Sequence, residues 1–417
     1  MKRQTKIVII GCGFAGLTLA KKLSKLPLKI LLVDQNNYHT FQPLLYQVAT
    51  GGLEAENIVY PIRKIFRKQN QVFFRMAEVI SVDPGSKCIE TNIGKIEYDY
   101  LVLAHGSTNN FFSFQSVEKF LLPLKSLSDA LQMRNRIMLN FERLVVTDDK
   151  TKQEGLMNFA IVGGGPAGLE IAGALSEMKK YVLPLDFPEL DFSKMQIYLF
   201  DASDRILNTM SVEASEKAHK YLTQLGVIIK TGIKVTDIQG GKLILEDGSE
   251  FITETVIWAA GVKVNKLQGF PDSVFLPNGR IKVDEFHRVI NTENVFALGD
   301  ASAFVSEAEP HGLPMLAPVA IQQAKHLYKN FKLKMKGKDM QSFRYRNKGI
   351  MATVGRKRAV VDLPGWKFQG IFAWFVWMFI HLMSLIGFKN KFITLIQWSA
   401  SYFNYDKPLG IIVNQKK

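Results

Sequence analysis

One pattern occurs twice in this chain and restricts its fold more than any other feature: an apolar run, a glycine-rich turn, a helical run, and a second apolar run closed by an acid. The first copy, KIVIIGCGFAGLTLAKKL, places Gly11, Gly13 and Gly16 directly after the run 7–10, and the next run, KILLVD, closes on Asp34. The second copy, NFAIVGGGPAGLEIAGALSEM, supplies Gly163, Gly165 and Gly168, and the run MQIYLFD closes on Asp201. Unbroken apolar runs alternating with helices imply a parallel sheet covered on both faces. Glycines at this spacing make a tight turn, let backbone approach a pyrophosphate, and open a helix whose N-terminus attracts anions. A glycine turn alone is weak, but strand, helix and closing acid are all present in both copies. Asp34 and Asp201 are expected to accept hydrogen bonds from ribose hydroxyls.

Two further runs, YLVLAHGS and TVIWAAGV, each end in small residues (Ala104 and Gly106; Ala260 and Gly261) and read as strands delivering backbone to a cofactor. A third, NVFALGDAS, ends at Gly299 and Asp300 and is suited to rejoin the first sheet, which makes the first domain discontinuous. Asp300 suits the hydroxyls of a ribityl chain; a helix N-cap is the alternative. The stretch KLILEDGSEFITETV breaks at Asp247 and Gly248 and reads as a β-hairpin. The expected domains are 1–115 and 273–335 for the first dinucleotide, 116–272 for the second, and a C-terminal module at 336–417. Within that module, residues 370–388 approach the length of a membrane span with His381 the sole ionisable group, so crossing the membrane and lying on it both stay open.

Two dinucleotide folds together are what hydride transfer between a nicotinamide and a flavin requires. The acid at Asp201 disfavours the extra phosphate of NADPH, although Arg205 close behind it could soften that preference. The only cysteines, Cys12 and Cys88, lie far apart. A redox CxxC pair, a disulfide framework and a multi-cysteine metal site are therefore excluded, no metal is expected, and electrons must pass through a bound cofactor. A net charge of +15 fits an anionic partner. No nucleic-acid reader motif accompanies it, whereas an apolar C-terminal segment does, so a membrane surface is the better match. The N-terminus leaves no room for a cleavable signal, and the body reads as cytoplasmic.

With these residues in place the chain resembles the type II NADH dehydrogenases, single-subunit NADH:quinone oxidoreductases. The resemblance runs over GCGFAGL, FQPLLYQVATGGL, GGGPAGLEIAGAL, IWAAGV, VFALGDAS, LAPVAIQQAKHL and AWFVWMFIHLMSLIGFKN, nearly the whole chain. It implies an α/β fold with two Rossmann-like, glutathione-reductase-like domains plus a C-terminal membrane-associating helical module, with FAD on the first copy and NADH as substrate on the second. It implies that Gln47, Ala49, Thr50 and Gly51 lie beside the flavin, with Val79 among the cofactor-binding candidates. It implies that Glu170 acts near the flavin in nicotinamide placement or quinone protonation; a helix first-turn carboxylate is the alternative.

Ala320, Gln322 and Gln323 are the quinone-site candidates, with Pro318 standing where the family pattern has its first glutamine. His105 replaces the usual threonine of the first strand-end motif. The implied activity is non-proton-pumping transfer from NADH through FAD to a membrane quinone, at the cytoplasmic face of the cell membrane, peripheral or monotopic, with a homodimer left open. Trp374, Trp377 and Trp398 are expected at the lipid interface with Lys389 and Lys391, and removal of residues 370–403 is expected to spare NADH oxidation by a soluble acceptor. The rival readings are a flavin reductase of a soluble carrier such as ferredoxin and a membrane-associated redox sensor.

Overall fold

The computed structural model describes residues 4–112, 114, 120–307, 309–403 and 411–412, with only the backbone described at 401–403. The expected boundary between residues 115 and 116 falls outside the described residues. Two compact units emerge: Met1–Thr40, Tyr60–Thr108 and Val262–Asn347 form the first, and Phe41–Val59, Asn109–Gly261 and Lys348–Lys417 the second.

The first unit is built on a five-stranded parallel sheet in the order Val295–Ala297, Tyr100–Leu103, Lys6–Ile10, Lys29–Asp34, Val72–Met76. Ile7, Val8, Ile9, Ile30 and Leu32 are wholly buried, which is why these strands read as unbroken apolar runs rather than alternating ones. On one face Val8, Ile10, Leu101 and Leu103 pack with Val82 and Ile89. The last two belong to an antiparallel meander, Val79–Asp83, Cys88–Thr91 and Gly94–Glu97. Across the other face runs the helix Phe14–Leu23, packed against the helix Ala317–Met335. The strand Val295–Ala297 thus joins the first sheet from far down the chain, as expected.

The second unit repeats this plan. Its parallel sheet runs Leu121–Pro123, Thr255–Trp258, Asn158–Val162, Gln196–Asp201, Val227–Thr231, with a meander Val235–Gln239, Lys242–Leu245 and Glu250–Ile252 inserted at the equivalent place. The hairpin expected at Asp247 and Gly248 is there, its turn closed by Gly248 N–H donating to the Leu245 carbonyl. The helix Leu127–Val145 opens on a capping box in which Ser126 and Asp129 satisfy each other's backbone N–H groups.

The C-terminal region carries the expected helices but also an unexpected sheet. It opens with a three-stranded antiparallel sheet, Ile350–Thr353, Ala359–Leu363 and Trp366–Gly370, whose turns contain Gly355 and Gly365 in the left-handed region. Only then come two helices, Ile371–Ser384 and Phe388–Phe403. The apolar stretch 370–388 is not one helix, because Gly370 (φ +87°) ends the strand and Gly387 (φ +86°) separates the helices. Among the described residues no helix is long and apolar enough to cross a membrane.

These two helices are two-faced. Phe372, Phe375, Phe379 and Met383 on the first, and Phe388, Phe392, Leu395 and Ile396 on the second, are exposed at helical spacing. On the opposite face of the first helix Trp374 is 9% exposed and Trp377 1%, with Ala373 and Trp374 packed on Ala359 and Val361. The expectation that Trp374 and Trp377 sit at a lipid interface is therefore corrected: they are core. Removing residues 370–403 would strip that core, since truncating one buried tryptophan alone costs about 3–5 kcal/mol.

Candidate active site

In each unit the three glycines divide the work between them. Gly11 (φ +96°) and Gly163 (φ +113°) hold a backbone conformation that side chains rarely adopt, and a Cβ on Gly11 would lie 2.2 Å from the Ala104 carbonyl oxygen. A Cβ on Gly16 or Gly168 would lie 1.9 Å from the carbonyl oxygen of Gly11 or Gly163 respectively, so each third glycine lets helix sit on strand. Above Gly13 and Gly165, by contrast, no protein atom comes within 4 Å of an added Cβ. Both are helix N-caps without a side-chain cap, and the first turns of Phe14–Leu23 and Pro166–Tyr181 carry no acid. Open space over an uncapped, acid-free helix N-terminus fits a pyrophosphate, and it occurs in both units.

The closing acids are matched as well. Asp34 accepts hydrogen bonds from the N–H of Cys12 (2.6 Å) and of Asn36 (2.8 Å); Asp201 accepts from Gly164 (2.5 Å) and Ser203 (2.7 Å). Each carboxylate has capacity left for ribose hydroxyls. Burial raises the Asp34 carboxyl above its ordinary range, opposed by those two backbone bonds. Arg205 is committed elsewhere, donating to the carbonyls of Leu207, Asn208 and Met210. Ala260 and Gly261 follow the strand Thr255–Trp258, and the Gly261 carbonyl accepts from Asn110 N–H (3.1 Å).

Ala104 and Gly106 follow the strand Tyr100–Leu103, flanking His105, whose ring burial lowers to about 4 against a backbone bond at Asn265, so the imidazole is neutral. In the same unit Gly299 and Asp300 form a short turn; Ser107 Oγ donates to Asp300, which is not the N-cap of an α-helix. Val79 begins the meander and packs on the sheet's core.

The helix Ala317–Met335 supports that turn. Ala320 is buried, and Gln323 accepts the Gly299 N–H at 2.7 Å while its amide nitrogen donates to Ser302 (3.3 Å). Gln322 has both amide ends on the Arg346 backbone, at 3.1 and 3.0 Å. Each amide thus already has protein partners, and each NH₂ still has one N–H to give. Pro318 lies in the first turn, where no intrahelical acceptor awaits its missing N–H, so the departure from the family pattern costs the helix nothing.

In the second unit Gln47, Ala49, Thr50 and Gly51 lie on and just after the short helix Leu45–Ala49, with the Thr50 hydroxyl donating to the Tyr46 carbonyl (2.9 Å) and the Gln47 carbonyl accepting from Gly52 (2.6 Å). Glu170 projects from Pro166–Tyr181, half-buried, and burial pushes its carboxyl up to about 8, with a Thr353 backbone hydrogen bond pulling the other way. It therefore keeps its proton at neutrality. Two turns along the same helix, Glu177 pairs with Arg356 (3.7 Å) and accepts the Arg356 backbone N–H.

Near these acids lies a cleft walled by Tyr46, Gln47, Thr353, Trp374, Trp377 and Trp398. Sequence reasoning missed Tyr46, Glu177 and Arg356 and misplaced the tryptophans. The usable signal was the spacing Trp374, Trp377, His381, one helical face opposite the phenylalanines. His381 stacks on Trp377 (4.0 Å between centroids), and burial lowers its ring to about 4.

The chain matches the family model described as pyridine nucleotide-disulphide oxidoreductase over residues 5–324, and the one described as NDH2 C-terminal domain over residues 347–404. It is 33% identical to the type II NADH:quinone oxidoreductase Ndh of Mycobacterium tuberculosis, over 99% of this chain and 91% of that one. The chain belongs to the type II NADH:quinone oxidoreductase family. A second member, the type II NADH:quinone oxidoreductase of Staphylococcus aureus, is 28% identical over 84% of this chain and 87% of its own length. In fold, the chain matches a solved structure of NDH2 from Plasmodium falciparum in complex with NADH, with a TM-score of 0.89, 22% identity, and coverage of 98% and 100% of the two chains. Membership of this family makes the chain an FAD-dependent, NADH-using oxidoreductase with a quinone as acceptor.

Proposed function

We propose that this enzyme takes hydride from NADH and reduces a membrane quinone while seated on the cytoplasmic face of the membrane. The observation that carries the reading is the pair of uncapped, acid-free helix N-termini, each with open space over its middle glycine. Gly11, Gly13, Gly16, Asp34, Gly299 and Asp300 would hold FAD, and Gly163, Gly165, Gly168, Asp201, Ala260 and Gly261 would hold NADH. When bound, FAD supplies a two-electron acceptor between nicotinamide and quinone.

Residues of the chain supply the rest. Ala320 and Gln323 position the Gly299 turn. The tryptophan-lined cleft excludes water and accepts a flat, apolar ring. Glu170 holds a proton at neutrality in the unit that carries this cleft. The test is anaerobic: NADH should bleach the flavin absorbance of the purified protein, and a water-soluble quinone should restore it. Restoration by an oxidised carrier protein such as ferredoxin but not by quinone would favour the soluble-acceptor reading.

The raised Glu170 carboxyl gives a pH prediction. It is protonated below about 8 and loses its proton as pH rises through that value, so a step that needs the protonated form slows above it. Quinone-dependent turnover is expected to fall severalfold between pH 7 and 9 in the parent, whereas Glu170→Gln should follow a flat profile at a lower level with flavin content unchanged. Superimposable profiles would make Glu170 a helix-surface residue.

The exposed row Phe388, Phe392, Leu395 and Ile396, with Phe388 84% exposed, supports attachment to a lipid surface, with Lys389 exposed beside it for anionic headgroups. Membrane-bound protein is expected to resist high-salt washing and yield to detergent. Phe388→Glu with Phe392→Glu should move it to the soluble fraction. Parent protein that is soluble from the start would mean that a second copy or a soluble partner covers this face.

A further inference from the structure

We propose that the Tyr46 hydroxyl donates a hydrogen bond to a carbonyl oxygen of the quinone, and that Gln47 and Trp398 are positioning residues that aim it. The inference rests on the cleft being the quinone site. Trp398 Nε1 contacts Gln47 Oε1 at 2.8 Å, and Gln47 Nε2 contacts the Tyr46 oxygen at 2.9 Å. An indole nitrogen can only donate, so the end of the Gln47 amide facing it must be the carbonyl. The NH₂ end then faces Tyr46, and the phenol oxygen is the acceptor in that contact. Its own hydrogen is left for another partner, and no protein acceptor for it is recorded among the described residues. Tyr46 is buried and lines the cleft, where a donor without an acceptor is costly.

A quinone carbonyl supplies the missing acceptor. Its flat ring suits a cleft walled by Trp374, Trp377 and Trp398. Burial above all, and then the acids Glu170 and Glu177, raise the Tyr46 phenol well above its ordinary value against the Gln47 hydrogen bond, so it stays a donor across the working pH range. The aim is set from the helix Phe388–Phe403, which is fastened at two more places to the chain that follows Gln47. Gln397 accepts from Asn57, and Asn390 donates to the carbonyls of Glu56, Asn57 and Val59.

The test uses the full-length, FAD-loaded enzyme with menadione as the quinone probe. Tyr46→Phe keeps the ring and removes the phenol's bonds to Gln47 and to the quinone, whereas Trp398→Phe removes the indole donor to Gln47 and leaves a smaller aromatic ring. Each should raise the KM for menadione by about tenfold while the KM for NADH and the melting temperature stay put. The double variant should be no worse than Tyr46→Phe alone, because both act through one chain of contacts. Additive losses, or an unchanged menadione KM in Tyr46→Phe, would overturn the proposal. If Tyr46→Phe does not fold, the menadione KM of Trp398→Phe decides in the same way. Met378→Trp, which fills the cleft, separates the two levels of the argument. A raised menadione KM there with none in Tyr46→Phe removes only the hydrogen bond, whereas no change in Met378→Trp removes the cleft itself as the quinone site.

Discussion

Gly13→Val is expected to give a folded protein that purifies without flavin and oxidises NADH on the order of 100-fold more slowly or worse. Two observations separate this outcome from simple misfolding. The backbone at Gly13 is extended, at φ −70° and ψ −163°, a conformation valine adopts freely, and nothing lies within 4 Å of the added Cβ. The new side chain therefore costs the protein little and takes only the space through which backbone would meet pyrophosphate. Gly16→Ala makes the contrast, since its Cβ would be driven into the Gly11 carbonyl, so loss of stability should come before any loss of binding. Gly165→Val is the counterpart in the second unit and should keep flavin while losing NADH. Flavin absorbance and thermal unfolding of the three variants check all of this, and a fully flavin-loaded Gly13→Val would remove FAD from the first unit.

The second large effect concerns the choice of nucleotide. NADH is expected to be used about 100-fold more efficiently than NADPH, and Asp201→Asn should erase most of that ratio. Two unit charges about 4 Å apart repel by about 4 kcal/mol at an effective dielectric near 20; salt and side-chain relaxation reduce this. The sequence left room for Arg205 to offset the repulsion, but its guanidinium is occupied by three backbone carbonyls. The Gly164 and Ser203 N–H groups donate to different oxygens of Asp201, so asparagine can satisfy only one of them, and unchanged thermal unfolding of Asp201→Asn is the control that its turn is kept. Comparing kcat/KM for the two nucleotides settles it, and equal values in the parent would end the assignment of Asp201.

Both sheets were legible because parallel strands buried on two faces leave continuous apolar runs, and because the glycines mark where backbone must approach backbone. The three-residue strand Leu121–Pro123 left no such trace; it is too short to show a period. The C-terminal sheet was missed for a different reason. Its strands are only four or five residues long and carry Asp362 and Lys367 beside apolar residues, and a much stronger aromatic run follows them. Hydropathy could not say which way the tryptophans face, since a ring against Ala359 and Val361 scores the same as a ring against lipid. Gln322 and Gln323 were quinone-site candidates by pattern, and only their partners disclose that the first holds the Arg346 backbone and the second the Gly299 turn. Tyr46 was passed over inside a motif valued for its neighbours, because what distinguishes it is a hydrogen-bond direction, which no residue type announces.

The two sheets also differ in when they can close. All five strands of the second lie between Leu121 and Trp258, whereas the first has an open edge beside Tyr100–Leu103 until Val295–Ala297 exists. A chain emerging from the ribosome therefore holds its first-made sheet unfinished while it completes its second. For that interval the unpaired edge is a template for wrong partners. Nascent chains halted near residue 280 should accordingly protect the Asn158–Val162 strand from proteolysis before they protect Tyr100–Leu103, an order of maturation opposite to the order of synthesis.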